Sequence, residues 1–136
     1  MKSKAVLQES EVSQILAGAK AYALDKGWAV TISVVDDGGH LLGLVRLDGA
    51  APVSAHISPA KARTAALGQR ATKVYEDVIN KGRTAFLSAP TIEGMLEGGV
   101  PVVVDGQVIA AVGVSGVQSH EDVEVAEAGI ATLGLK

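Results

Sequence analysis

The residues of this chain whose types could do chemistry are three histidines, a neighbouring pair of carboxylates, three cations and one serine. His40, His56 and His120 are the only histidines, and none stands in an H-E-x-x-H or similar paired spacing that would hold zinc. His56 and His120 are the candidate metal ligands, because each is expected just before a helix start, at a connection of the kind that holds ligands in many folds. A neutral imidazole there could ligate iron; a surface or hydrogen-bonded histidine is the plain alternative. Glu121 and Asp122 fall at the beginning of the last expected helix, where carboxylates suit the positive end of the dipole. They read either as caps or, with His120, as acid/base groups. Lys61 and Arg63 fall in the first turn of another helix, where the dipole does not favour cations, an arrangement compatible with a bound anion. Arg46 closes a strand and is a further anion partner. Ser115 lies in Gly113-Val114-Ser115-Gly116, but Val117 denies it the G-x-S-x-G elbow of serine hydrolases, so it reads as a ligand contact.

These residues need elements to carry them. Ser10 is the expected cap of a first helix whose inner face is Val12, Ile15, Leu16, Ala19 and Ala23, closed by Lys26 and Gly27. Residues 29–35 alternate as a strand, Asp36 to Gly39 turn the chain, and His40 to Leu47 return it. Ser58-Pro59 reads as a cap followed by proline at the first helical position, opening a helix with the small face Ala62, Ala65 and Ala66. A third helix is expected from Thr72 to Lys81, and residues 83–97 carry no clear period. Val102 to Val104, the turn Asp105-Gly106 and Val108 to Ser115 make a second hairpin. Its returning strand shows Ile109, Ala111, Gly113 and Ser115 on one side, small enough for a helix or ligand to approach the backbone. Ser119 to Asp122 resembles a capping box ahead of a last helix carrying Val123, Ala126, Ile130 and Leu133. Gly38-Gly39 and Gly98-Gly99 read as turns and not phosphate cradles, since neither opens directly into a helix.

Composition narrows the partners. The 136 residues fit a single domain, 1–136, and only four are aromatic, so the core must be built from aliphatic side chains and alanine. A net charge of -3 with no basic stripe argues against nucleic acid. The absence of cysteine removes disulfides, thiolate metal sites and cysteine nucleophiles. The opening residues lack the apolar core of a secretory signal, and no apolar run reaches the roughly 20 residues of a membrane span, so a cytoplasmic protein is expected. With 48% hydrophobic residues in so short a chain, part of the Val/Ala/Gly surface is expected to meet another subunit.

The hairpin VVDDGGHLLGLVRLDGA, the helix SPAKARTAA and the block GGVPVVVDGQVIAAVGVSG with EDVEVAEAG resemble the GlcG/HbpS-like family, related to the C-terminal domain of PduO-type cobalamin adenosyltransferases. The resemblance runs over about residues 8–133. It implies an α+β, profilin-like three-layer α/β/α fold around a five-stranded antiparallel sheet, assembled as dimers up to octamers. It also implies haem binding, with haem degradation or redox sensing in some members and accessory roles in catabolism in others. The family's Asp-Gly-Ala falls on Asp48, Gly49 and Ala50, its Lys-Ala on Lys61 and Ala62, and its Gly-Val-Ser-Gly on Gly113 to Gly116. Its acidic pair becomes Asp122-Val123, losing the second carboxylate, with Glu121 one position earlier.

Two functions follow. In the first, haem or another tetrapyrrole docks with its propionates met by Arg46, Lys61 or Arg63, and His56 or His120 ligates iron. In the second, the chain is an enzyme of small-acid or aromatic-catabolite metabolism, an isomerase, deaminase or hydrolase. Arg46 and Lys61 then bind the substrate carboxylate, and Glu121, Asp122 or His120 exchange protons.

Overall fold

A computed structural model describes residues 1–135. In chain order the elements are α1 (Glu9–Lys26), β1 (Thr31–Asp36), β2 (Leu41–Arg46), α2 (Ser54–Gly68), α3 (Thr72–Asn80), a 3-10 turn (Thr84–Ser88), β3 (Gly99–Val104), β4 (Gln107–Ser115) and α4 (Ser119–Ala131). The strands form one antiparallel sheet in the order β2-β1-β4-β3. The expected helices and both hairpins are present. The sheet has four strands among the described residues, not five: the stretch between α3 and β3, broken by Gly82, Pro90, Gly94 and Gly98, makes a single 3-10 turn and no ladder.

Helices cover both faces of the sheet. On one side α1 and α4 bury Val12, Ile15, Ala19, Val125 and Ala126 against Ile32, Val34, Val112 and Val114. On the other, α2 lays Ala62, Ala65 and Ala66 on Val35 and Ala111. Two buried hydroxyl pairs fasten α2 to β1. Thr31 Oγ1 lies 2.7 Å from Ser54 Oγ, and Ser33 Oγ lies 2.7 Å from Ser58 Oγ, whose hydroxyl also reaches the Gly113 carbonyl at 2.8 Å. Gly113 makes this approach possible, since a Cβ there would run into the Ser58 carbonyl oxygen. The small-residue side of β4 therefore receives a helix. Ile109 leaves that side through a β-bulge opposite Val102–Val103 and joins the core beneath α1.

Three helix starts differ from the expected ones. In α1 the cap is Gln8, two residues before Ser10, and the Gln8 N–H donates to Glu11 Oε1 at 2.7 Å. In α4 it is Gln118, whose N–H donates to Glu121 Oε1 at 3.2 Å. These are capping boxes with glutamine in the first position. The buried side of α4 is Asp122, Val125, Ala126 and Gly129, and Val123, Ile130 and Leu133 of the expected face are only partly buried. The α2 helix begins a turn early, at Ser54, and holds Pro59 inside it, because Ser58 is buried as a fastener and does not cap. The first hairpin turns as expected: Asp36 Oδ1 accepts the backbone N–H of Gly38 and of His40, each at 2.9 Å.

Candidate functional site

Most of the residues singled out for chemistry stand at one end of the sheet, where β1 begins and β2 and β4 end, while His40 and Arg63 lie at the first hairpin turn at the other. Thr31 pairs with Arg46 on one side and with Ser115 on the other, so these three stand in one row across the strands. Ser115 is buried there. Because α2 and α4 also start at this end, it carries His56, the third residue of α2, and His120, the second residue of α4. Both histidines lie inside the first helical turn, not just before it as expected, and both are exposed.

Lys61 and Asp122 form a buried ion pair behind this row. Lys61 Nζ donates to Asp122 Oδ2 at 3.1 Å and to the Val114 carbonyl at 3.0 Å; Asp122 Oδ1 accepts the Val117 N–H at 3.2 Å. The side chains are only 4% and 3% exposed, which makes the pair's energetics those of an interior. Gly98, at φ 135°, leaves room for the ammonium: a Cβ there would sit 2.6 Å from Nζ. Burial pushes the Asp122 carboxyl above the ordinary carboxylate range, against the opposing pull of the Lys61 charge and of the hydrogen bonds from Lys61 and Val117. The pair joins α2, on one face of the sheet, to α4 on the other. Glu121 beside it is engaged as the α4 capping residue.

Arg46 belongs to a different feature. Its Nε and Nη2 donate to the Ala50 carbonyl at 3.3 and 3.0 Å, and the residue lines a cleft of about 470 Å³ between α1 and the end of β2. The other walls are Lys20, Leu24, Trp28, Val45 and Leu47. Trp28, half-buried, was not among the residues selected from sequence. Its signal was available: it is the only tryptophan, placed directly after the helix-closing Gly27 in a chain poor in aromatics. Arg63 is exposed on α2 and packs its stem over Gly39 in the first hairpin turn. His40 leans its Nδ1 on Asp36 at 3.1 Å. Among the described residues no group of three or more His, Asp or Glu side chains is arranged to hold a metal ion. A second groove, about 440 Å³ and lined by Ile79, Leu87, Ile92 and Met95, lies beneath α3. No helix among the described residues is long and apolar enough to cross a membrane.

Comparison with known proteins identifies what this arrangement resembles. Residues 7–131 match the family model described as "Haem degrading protein HbpS-like". Protein GlcG of Escherichia coli strain K12 is 57% identical over 115 residues, 85% of each chain. A double mutant of Streptomyces reticuli HbpS superposes with a TM-score of 0.89 at 30% identity, covering 98% of this chain and 91% of the other. A PduOC:haem complex superposes with a TM-score of 0.87 at 26% identity, covering 97% and 98%.

Proposed function

Because this chain belongs to the HbpS-like family of haem-degrading proteins, we propose that it binds haem or a closely related tetrapyrrole. The observation that carries the reading is the near full-length similarity to a domain solved with haem. The residues present fit such a group. A tetrapyrrole offers a flat apolar body with acidic side arms, and needs an apolar wall flanked by cations. Trp28, Leu24 and Val45 supply the wall, and Lys20 and Arg46 the cations. Arg63 is a further exposed cation on α2. His56 and His120 are exposed imidazoles at the same end of the sheet, and either is a candidate for the iron. When bound, haem supplies an iron centre with redox and oxygen chemistry; the protein supplies its seat and its surroundings. Haem degradation and redox sensing are the two finer roles, distinguished by whether the bound haem is consumed when reductant and dioxygen are added.

The alternative, turnover of a small carboxylate, binds substrate through Arg46 and Lys61 and exchanges protons through His120, Glu121 or Asp122; Glu121 is taken by the α4 cap, and the buried members are Lys61 and Asp122. Both are engaged with each other in the interior, so binding is the reading the geometry supports better. Self-association is part of the proposal: Leu41, Leu42 and Leu44 are exposed on the open edge strand β2, and light scattering should report a dimer or larger species. A cytoplasmic location completes it.

Titration with haemin tests the central claim. A saturable shift of the Soret band is expected, weakened by His56→Ala or by His120→Ala, whichever residue ligates the iron. A spectrum identical to that of free haemin at all protein concentrations would overturn it.

A further inference from the structure

Resting on the tetrapyrrole reading, we infer that the cleft beside Trp28 is the seat of the macrocycle, which it grips by its flat body and its carboxylates while iron coordination comes from outside the cleft. Three observations converge on this. The wall is fixed before any ligand arrives. Gly27, at φ 74°, turns the chain out of α1 so that the Trp28 N–H closes onto the Ala23 carbonyl at 2.8 Å. The indole then lies 6.2 Å from the Tyr22 ring, tilted by 59°, and the Tyr22 hydroxyl donates to Glu124 Oε1 on α4 at 2.9 Å. A rigid aromatic wall suits a rigid planar guest, because neither partner loses much freedom on contact. Beside the indole, Leu24 leaves 60% of its surface exposed at the rim, apolar area that folding has not covered.

The charges then select the guest. Lys20 comes from α1 and Arg46 from β2, so cations stand on both walls, against a single acid, Asp48. Ala50 takes the Nε–H and one Nη2 hydrogen of Arg46, out of the five donors of a guanidinium. An uncharged apolar molecule would have no use for the two cations, and a metal ion would be repelled by them. A flat apolar body bearing carboxylates satisfies both the wall and its flanks. Among the described residues none of the three histidines lines the cleft, so it reads the organic part of the ligand and not the metal.

The experiment compares haemin, metal-free protoporphyrin and protoporphyrin dimethyl ester, followed by Soret absorbance and by fluorescence of the single tryptophan. Protoporphyrin is expected to bind saturably without iron. Lys20→Glu and Arg46→Glu should each weaken haemin and protoporphyrin alike, by about tenfold for loss of a charge-assisted contact. The dimethyl ester should be indifferent to both substitutions, and Lys81→Glu, exposed just after α3, should change nothing. His56→Ala and His120→Ala should leave protoporphyrin affinity unchanged. Circular dichroism checks that each variant is folded, and Lys20, exposed on α1, keeps the test available if Arg46→Glu is not. Haemin binding that survives both charge reversals at full affinity, or that occurs while protoporphyrin fails to bind, would overturn the cleft assignment and leave the haem reading standing. Failure of haemin and protoporphyrin alike would remove the haem reading and the cleft with it.

Discussion

Removing Lys61 should do more damage than any surface substitution, and the damage should depend on pH. In Lys61→Met the stem is replaced by a side chain of similar length, so packing changes little while the ammonium disappears. Asp122 is then left 3% exposed with its Val117 hydrogen bond and no counter-charge. Stranding one member of a buried pair costs about 3–5 kcal/mol, which for a chain of this length lowers the melting temperature by roughly 10–20 °C. The sign with pH follows from Asp122, whose carboxyl burial already holds above the ordinary range. A folded state that binds the proton more tightly than the unfolded chain loses stability as pH rises from the unfolded pKa through the folded one. Lys61→Met should widen that window upward, so the variant approaches the parent in acid and falls behind it toward neutrality. Urea unfolding of the parent, Lys61→Met, Asp122→Leu and the double variant, each from about pH 4 to 8, gives the coupling directly. The double variant is expected to recover most of the loss, since apolar replacement of a buried pair is often close to neutral. Single variants losing less than about 1 kcal/mol, the worth of an exposed pair, with no pH dependence, would refute the interior ion-pair account.

Other outcomes follow from the packing of α2 and from the first turn. Gly113→Ala puts a methyl against the Ser58 carbonyl and should cost about 1–3 kcal/mol or more through displacement of α2, read as a lowered melting temperature. Ser58→Ala leaves the Ser33 hydroxyl and the Gly113 carbonyl short of a buried partner, about 1–3 kcal/mol; the Ser33→Ala/Ser58→Ala pair should cost less than the sum of the two, as a double-mutant cycle would show. Burial of Asp36 acts to raise its pKa, but the backbone N–H and ring of His40 and the N–H of Gly38 outweigh it and hold the carboxyl below its ordinary value. Its contribution is therefore present above the unfolded pKa and lost as pH falls through the folded one. Asp36→Ala should flatten that acid limb of the stability curve, and an unchanged limb would count against the turn bonds.

What was legible in the sequence was what repeats with the period of an element. The inner face of α1, the two hairpins and the small face of α2 come through because apolar spacing and turn residues agree with the packing that follows. What failed to show was competition for a side chain. Ser58 has the residue type of a cap, yet a tertiary partner on β1 claims its hydroxyl, and nothing local in SPAKAR records Ser33. Gln8 and Gln118 cap in places where serine was nearer the usual pattern. Lys61 and Asp122, which stand apart in the sequence as an anion partner and an acid/base group, meet in the structure as an ion pair. Their burial was invisible because it depends on Gly98, distant in sequence from both, leaving room for the ammonium. Trp28 was passed over because a single aromatic has no period. Only the fold reveals that Lys20 and Arg46 stand beside it.

The hydroxyl rungs between α2 and β1 work as a vernier. A helix climbs about 6.0 Å in four residues and a strand about 6.8 Å in two, so Ser54 and Ser58 come almost level with Thr31 and Ser33, and the mismatch of about 0.8 Å per rung stays small over two. The next rung is Ala62 and Val35, where oily contact tolerates the accumulated error that a hydrogen bond would not. Sliding the helix by one turn would keep only one hydroxyl pair, Ser58 with Thr31 or Ser54 with Ser33, and would set the next hydroxyl, Ser33 or Ser58, against Ala62 or Val35. A smooth seam of alanines could glide; this one has a single seat, and every residue that α2 carries to the end of the sheet inherits its position from those two notches.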